Sequence, residues 1–109
     1  MKIVLWRGEN GKYPVQDFME GLDLKTRKKI LYILELVEKY GYKIGPEYMP
    51  KLKGSELYEI RVRFNKQWHR IFCKIKSSDC YLLHGFSKKS DKTPKREIYT
   101  AENRAKYIN

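Results

Sequence analysis

The sequence predicts an α+β fold, in which an N-terminal strand and two antiparallel helices pack on a mainly antiparallel sheet and a helix ends the chain. Apolar residues recur at three- and four-residue intervals before residue 41, as on one face of a helix. Three apolar stretches then follow at residues 57–64, 68–75 and 80–86, with short polar turns between them, which indicates a meander of antiparallel strands. We expect residues 1–109 to form one domain that buries a core without a metal or a disulfide.

The N-terminal half supplies one strand and two helices. Residues 3–6 form a short apolar run, which we interpret as an edge strand. Pro14 suits a first helical position and Gly21 a helix end, whereas Asp23 can cap a second helix that ends at Gly41. The apolar faces of the two helices comprise Val15, Phe18 and Met19 in the first, and Leu24, Ile30, Ile33, Leu34, Val37 and Tyr40 in the second.

Alternation within the three later strands predicts which side chains share a face of the sheet. Two-residue turns at residues 66–67 and 77–78 would place Arg63 opposite Arg70, with Gly85 beside Arg70. The opposite face is then almost uninterrupted and apolar, and the helices would cover it. It comprises Tyr58, Ile60, Val62, Phe64, His69, Ile71, Cys73, Ile75, Cys80, Leu82, His84 and Phe86.

The last helix is predicted to begin at Thr93 and Pro94, a capping residue followed by the residue that best suits the first helical position. Lysine and arginine side chains surround this start and add to the partial positive charge of a helix N-terminus, so it attracts anions. One side of the helix is apolar and carries Ile98, Ala101, Ala105 and Ile108.

The charge of the chain indicates a polyanionic partner. Its net charge is +11, and the halves differ: residues 1–50 have nine basic and seven acidic side chains (+2), whereas residues 51–109 have fifteen and six (+9). Together with 14% aromatic residues, this excess predicts nucleic-acid binding, because neutralised phosphates release counterions and aromatic rings stack on bases. The alternative is a basic protein whose charge serves only solubility.

Two cysteines, Cys73 and Cys80, fall on the apolar side of their strands and are expected to be reduced core thiols. The cysteines and two scattered histidines have no metal-ligand spacing, so we expect neither a metal nor another cofactor. The sequence has no apolar run of membrane-spanning length and no signal-peptide pattern, so we expect a cytoplasmic protein without a membrane partner.

The polar face of the meander is the candidate functional surface. Arg61, Arg63 and Arg70 lie on it with Glu59, and guanidinium groups suit phosphate because each offers a planar fork of donors and stays charged. Glu59 could pair with Arg61 or accept a proton from a substrate hydroxyl; the sequence leaves both roles open. His69 and His84 are expected to be hydrogen-bonded core residues rather than an acid or a base.

The predicted order of one strand, two helices, three antiparallel strands and a last helix, together with five sequence segments, resembles the RelE/ParE toxin superfamily. Within it, the chain is most similar to the HigB-like, phage-derived branch. The segments that carry the resemblance are KLKG at 51–54, LYEIRVR at 57–63, HRIF at 69–72, LLHGFSKK at 82–89 and KTPKREIYTAENR at 92–104. The resemblance implies a toxin of a type II toxin–antitoxin system that acts as a ribosome-dependent, metal-independent endoribonuclease on messenger RNA. It also implies, as partner, a cognate antitoxin, a helix-turn-helix protein of the HigA type.

The resemblance also implies roles for individual residues. Arg61 and Arg70 would stabilise transition-state charge, and Lys89 would contact the phosphate or the leaving group. Glu59 stands where relatives carry lysine, so the identity of the general base stays open. Five further basic residues would position RNA or the ribosome without taking part in the chemistry: Lys51, Lys53, Arg63, Lys88 and Lys92.

Two other functions are compatible with this fold. A ParE-like toxin would inhibit DNA gyrase by binding it and would not require Arg61, Arg70 and Lys89 to cluster. A non-catalytic RNA-binding protein would use the same cations only for salt-dependent binding.

Overall fold

The computed structural model describes residues 1–108 and confirms the predicted α+β class. It contains three α-helices and a single four-stranded sheet, and a short 3₁₀ helix, Gly41–Ile44, follows the second helix. No helix within these residues is long and apolar enough to cross a bilayer. In chain order, the elements are β1 (Lys2–Leu5), α1 (Pro14–Glu20), α2 (Leu24–Tyr40), β2 (Tyr58–Phe64), β3 (Gln67–Lys76), β4 (Asp79–Lys88) and α3 (Lys95–Ala105).

The strands are arranged in the order β1-β4-β3-β2, with β1 parallel to β4 and the other pairs antiparallel. Helices α1 and α2 cover one face of the sheet and α3 covers part of the other. Each face therefore has its own core. The core under α1 and α2 includes Ile30, Val37, Ile60, Ile71 and Leu82, and the core under α3 includes Leu57, Phe72, Leu83, Ala101 and Ala105.

The predicted helix boundaries in the N-terminal half agree with the structure. Pro14 begins α1, and Gly21 follows its last residue. At the start of α2, the backbone N–H of Thr26 donates to the carboxylate of Asp23 at 2.8 Å, and hydrogen bonds from Thr26 lower the pKa of Asp23. Gly41 follows α2 with φ of +56°, a conformation that glycine adopts without a steric penalty.

The predicted turn between β2 and β3 is wrong by one residue. Asn65 and Lys66 form it, both with positive φ (55° and 62°), as a two-residue turn that matches the twist of the strands requires. The partner of Arg70 is therefore Arg61 rather than Arg63. Moving the turn by one residue shifts the strand pairing by two residues. Each side chain therefore stays on its predicted face, and the arginines still share one side of the sheet.

A β-bulge changes the face on which the end of β4 lies. Phe72 pairs with His84 but Cys73 pairs with Leu82, so Leu83 is the extra residue. The prediction that His84 and Phe86 face α1 and α2 is therefore wrong, since both lie on the α3 side. Gly85 was predicted to lie beside Arg70, but it pairs with Ile71 on the face covered by α1.

Gly85 allows α1 to approach the sheet closely. A β-carbon at this position would lie 2.9 Å from two ring carbons of Phe18, closer than van der Waals contact permits. We expect Gly85→Ala to lower the free energy of unfolding by about 1–3 kcal/mol through overpacking, measured by urea denaturation. Phe18→Leu should recover part of this loss in the double variant, and equal losses with and without Phe18 would contradict the explanation.

The two cysteines are unpaired and fully buried in the core under α1 and α2, as predicted. The pKa of Cys73 is raised well above its ordinary value. The main cause is a hydrogen bond with the thiol of Cys80, and burial is the second cause. The Cys73 thiol is therefore a core group of low reactivity.

Candidate nucleic-acid and active site

Glu59, Arg61 and Arg70 form a cluster on the α3 side of the sheet, and we call it the arginine cluster. Arg61 of β2 and Arg70 of β3 are directly opposite each other, and each guanidinium contacts one carboxylate oxygen of Glu59. The distances are 2.6 Å from Arg61 Nε to Oε1 and 3.4 Å from Arg70 Nη1 to Oε2. One carboxylate therefore holds two cations, and the cluster has a formal charge of +1.

The members of the cluster differ in exposure. Glu59 and Arg70 are fully buried, with 0% and 1% of their surface exposed, whereas the side chain of Arg61 is 37% exposed. Arg61 Nε donates to Glu59, and the two terminal nitrogens of Arg61 have no hydrogen-bond acceptor within residues 1–108. Arg61 is therefore the member of the cluster that can reach a ligand.

Residues 89–94, which connect β4 to α3 and which we call the strap, cover Arg70. Arg70 donates to the backbone oxygen of Asp91 and to the hydroxyl of Thr93. The same hydroxyl donates to Glu59 Oε2 at 3.1 Å. Pro94, rather than Thr93, is the residue that precedes the first turn of α3, so the predicted capping role of Thr93 is wrong. Its hydroxyl links the strap to the arginine cluster.

Trp68 was not singled out from the sequence, yet it contacts two of the arginines. The guanidinium carbons of Arg63 and Arg70 lie 4.9 and 5.5 Å from its ring centroid, which is cation–π geometry. A pocket of about 320 Å³ opens beside it at the edge of β2. The pocket is lined by Lys29, Ile33, Glu47, Tyr48, Arg61, Val62, Arg63 and Trp68.

The other predicted site residues, including the predicted catalytic residue Lys89, form no hydrogen bond or salt bridge with the arginine cluster within residues 1–108. Lys88 ends β4 opposite Trp68, and Lys89 and Lys92 are exposed on the strap. Within residues 1–108, none of these three lysines has a salt bridge. Lys51 pairs with Tyr58 through an isolated β-bridge at the edge of β2. Lys53 and Arg63 are exposed.

Both histidines are hydrogen-bonded within the fold, on opposite faces of the sheet. His69 is buried under α2, with Nδ1 2.7 Å from the hydroxyl of Ser87 and Nε2 3.3 Å from the carbonyl oxygen of Phe64. His84 Nε2 lies 2.7 Å from Glu97 of α3, and Arg104 Nη1 lies 3.1 Å from its Nδ1. The hydrogen bonds of His84 therefore attach α3 to the sheet.

The buried position of His69 predicts a pH-dependent stability. Burial lowers its pKa below the usual 6.5. As pH falls through 6.5, the unfolded chain binds a proton that the folded chain does not, so the free energy of unfolding decreases with acidification. Urea titrations at pH 7.5 and pH 5 measure this effect. Between the two pH values, the free energy of unfolding should decrease less for His69→Gln than for wild type. Equal decreases would contradict this assignment.

The fold and the arginine cluster define a basic α+β protein with paired arginines on one side of its sheet. Residues 17–106, 90 of the 109, match the family described as phage-derived protein Gp49-like (DUF891), and the chain belongs to this family. It is a family of RelE-like toxins of type II toxin–antitoxin systems, so a cognate antitoxin is implied. The match includes the arginine cluster and the strap. No curated protein matches the chain.

Proposed function

We propose that this protein is a HigB-like toxin that cleaves messenger RNA on the ribosome, without a metal, and so inhibits translation in the cytoplasm. A helix-turn-helix antitoxin of the HigA type would hold it inactive. Membership of a RelE-like toxin family supports this proposal. The observation that carries it is the arginine cluster, because Arg61 is held at one nitrogen and keeps its other donors available.

The geometry of Arg61 suits a phosphorane-like transition state. Its Nε is occupied by Glu59, so the guanidinium plane is fixed, and the four N–H donors on its terminal nitrogens are left for two phosphate oxygens. A preorganised donor of this kind stabilises developing charge without reorganisation, and its removal typically costs about 3 kcal/mol of transition-state stabilisation. We assign this role to Arg61.

The other cluster residues would act through Arg61 and the strap. In this arrangement Glu59 positions Arg61, because a carboxylate with no exposed surface cannot reach a ribose 2′-hydroxyl. Arg70 holds Glu59 and the strap together and adds positive charge beneath the surface. Lys89 is an exposed cation at the start of the strap, and we assign it to the leaving oxygen. Lys88, which ends β4, would position RNA beside it. Lys51, Lys53, Arg63 and Lys92 would position RNA or the ribosome.

One observation favours a second function, a non-catalytic RNA-binding protein. Glu59 and Arg70 are enclosed, so the exposed part of the cluster is the cation Arg61, without a base. A protein of this kind would bind RNA in a salt-dependent way and leave it intact. A gyrase inhibitor would instead leave messages intact and damage DNA.

Brief expression in a bacterium, followed by primer extension on abundant messages, distinguishes these functions. We expect new messenger RNA ends with wild type and with the control Lys76→Ala, which removes an exposed cation at the opposite end of the sheet. The ends should be absent with Arg61→Ala. Intact messages with a DNA-damage response would support gyrase inhibition, and RNA binding without new ends would support the non-catalytic function.

A further inference from the structure

A cavity lies on the helical side of the sheet, between α1, α2 and β1. It is a groove of about 640 Å³ with a mostly apolar floor that includes Leu5, Met19, Leu31 and Leu34. Leu31 is 46% exposed and Leu5 37% exposed, so two large apolar side chains meet solvent here. We call this cavity the α1–α2 groove. An apolar floor of this kind can receive the apolar side chains of a partner.

The rim of the groove is acidic, which is unusual for a chain with a net charge of +11. Glu20, Glu35 and Glu38 line it, and within residues 1–108 none of the three has a cation within salt-bridge distance. Arg27 is the basic residue in the lining, and its donors are occupied by backbone oxygens, among them that of Met19 at 3.1 Å. The Met1 ammonium group lies near the same rim and donates to the backbone oxygen of Glu38, so the three carboxylates remain available to basic side chains of a partner.

The helical spacing makes the groove continuous along α2. Each lining residue of α2 is three or four positions from another, so together they form one stripe along the helix: Arg27, Leu31, Leu34, Glu35 and Glu38. A second helix can lie along such a stripe with apolar side chains in the floor and basic side chains against the rim.

We propose that the α1–α2 groove is where the antitoxin docks, through an amphipathic helix with apolar residues one turn apart and lysine or arginine beside them. The charge complementarity of the acidic rim supports this occupant. The inference rests on the antitoxin partner that family membership implies, and it holds whether or not the toxin cleaves RNA. The groove and the arginine cluster lie on opposite faces of the sheet.

Binding of the cognate antitoxin that family membership implies tests the proposal. Isothermal titration should show Kd raised about tenfold or more by the double variant Glu35→Lys/Glu38→Lys. The matched control Glu9→Lys/Glu102→Lys changes the net charge equally at two exposed glutamates outside the groove, and its Kd should stay near that of wild type. Leu31→Ala should also weaken binding, whereas Tyr32→Ala should not, because Tyr32 is a similarly exposed neighbour on α2 that does not line the groove.

Hydrogen exchange on the wild-type complex gives an independent test, with protection expected over residues 27–38. Protection confined to β2 and β3, an unchanged Kd for the rim variant, an equal effect of the control, or no complex with wild type would each overturn the proposal. These measurements need no RNA cleavage. If the toxin cleaves RNA, the rim variant should stay toxic in cells that also express the antitoxin. If the toxin is inactive, the binding measurements still test the groove.

Discussion

Replacing Arg70 with alanine should lower the free energy of unfolding by about 3–5 kcal/mol, as expected when one partner of a buried ion pair is removed. The variant would leave Glu59 fully buried with one cation instead of two, and the backbone oxygen of Asp91 would lose its donor. Domains of this size are stable by only about 5–15 kcal/mol, so much of the margin would be lost. The strap would also lose its attachment to the sheet.

Chemical denaturation followed by circular dichroism measures this effect. Arg96→Ala is the matched control, because that side chain is 82% exposed and its contact with Glu97, at 3.7 Å, is expected to contribute little. The double variant Arg70→Met/Glu59→Met should be more stable than Arg70→Ala, since it also removes the buried carboxylate that Arg70→Ala leaves with Arg61 as its single cation. A loss for Arg70→Ala no larger than for Arg96→Ala would show that the cluster does not hold the sheet and the strap together.

Much of the fold could be predicted from the alternation of apolar and polar residues, because successive residues of a strand face opposite sides of the sheet. Ile60 and Val62 were predicted to face the helices and Arg61 the other side, and a two-residue error in the hairpin left these assignments intact. The partner of Arg70 was wrong because the turn has no Asn-Gly or Asp-Gly pair to fix its position. No local sequence pattern indicates the bulge at Leu83, because the stability of the bulge depends on packing against α3, which is distant in sequence.

The site was less predictable than the fold. The placement of Arg61 and Arg70 on one face follows from their strands, but the enclosure of Arg70 depends on Thr93, which is 23 residues away. A threonine before a proline is a common helix-start pattern, so the sequence favoured a capping role for Thr93. The contacts of Trp68 with Arg63 and Arg70 likewise required the exact course of the strands.

Replacing Arg61 with alanine should reduce the rate of messenger RNA cleavage by about 10²- to 10³-fold, while the free energy of unfolding changes much less than for Arg70→Ala. The difference arises because Arg61 is partly exposed and Glu59 keeps its hydrogen bonds from Arg70 and Thr93 when Arg61 is absent. Cleavage of a ribosome-bound message under single-turnover conditions measures the chemical step separately from binding.

Arg61→Lys separates charge from geometry at the same position. A lysine keeps the positive charge, but its single ammonium cannot hold Glu59 and bind two phosphate oxygens in a fixed plane. We expect RNA binding and its salt dependence to stay close to wild type while the cleavage rate remains near that of Arg61→Ala. If Arg61→Lys restored cleavage, the charge alone would suffice and the planar fork held by Glu59 would have no catalytic role. If both variants weakened binding and no variant cleaved, the arginine cluster would be a binding surface only.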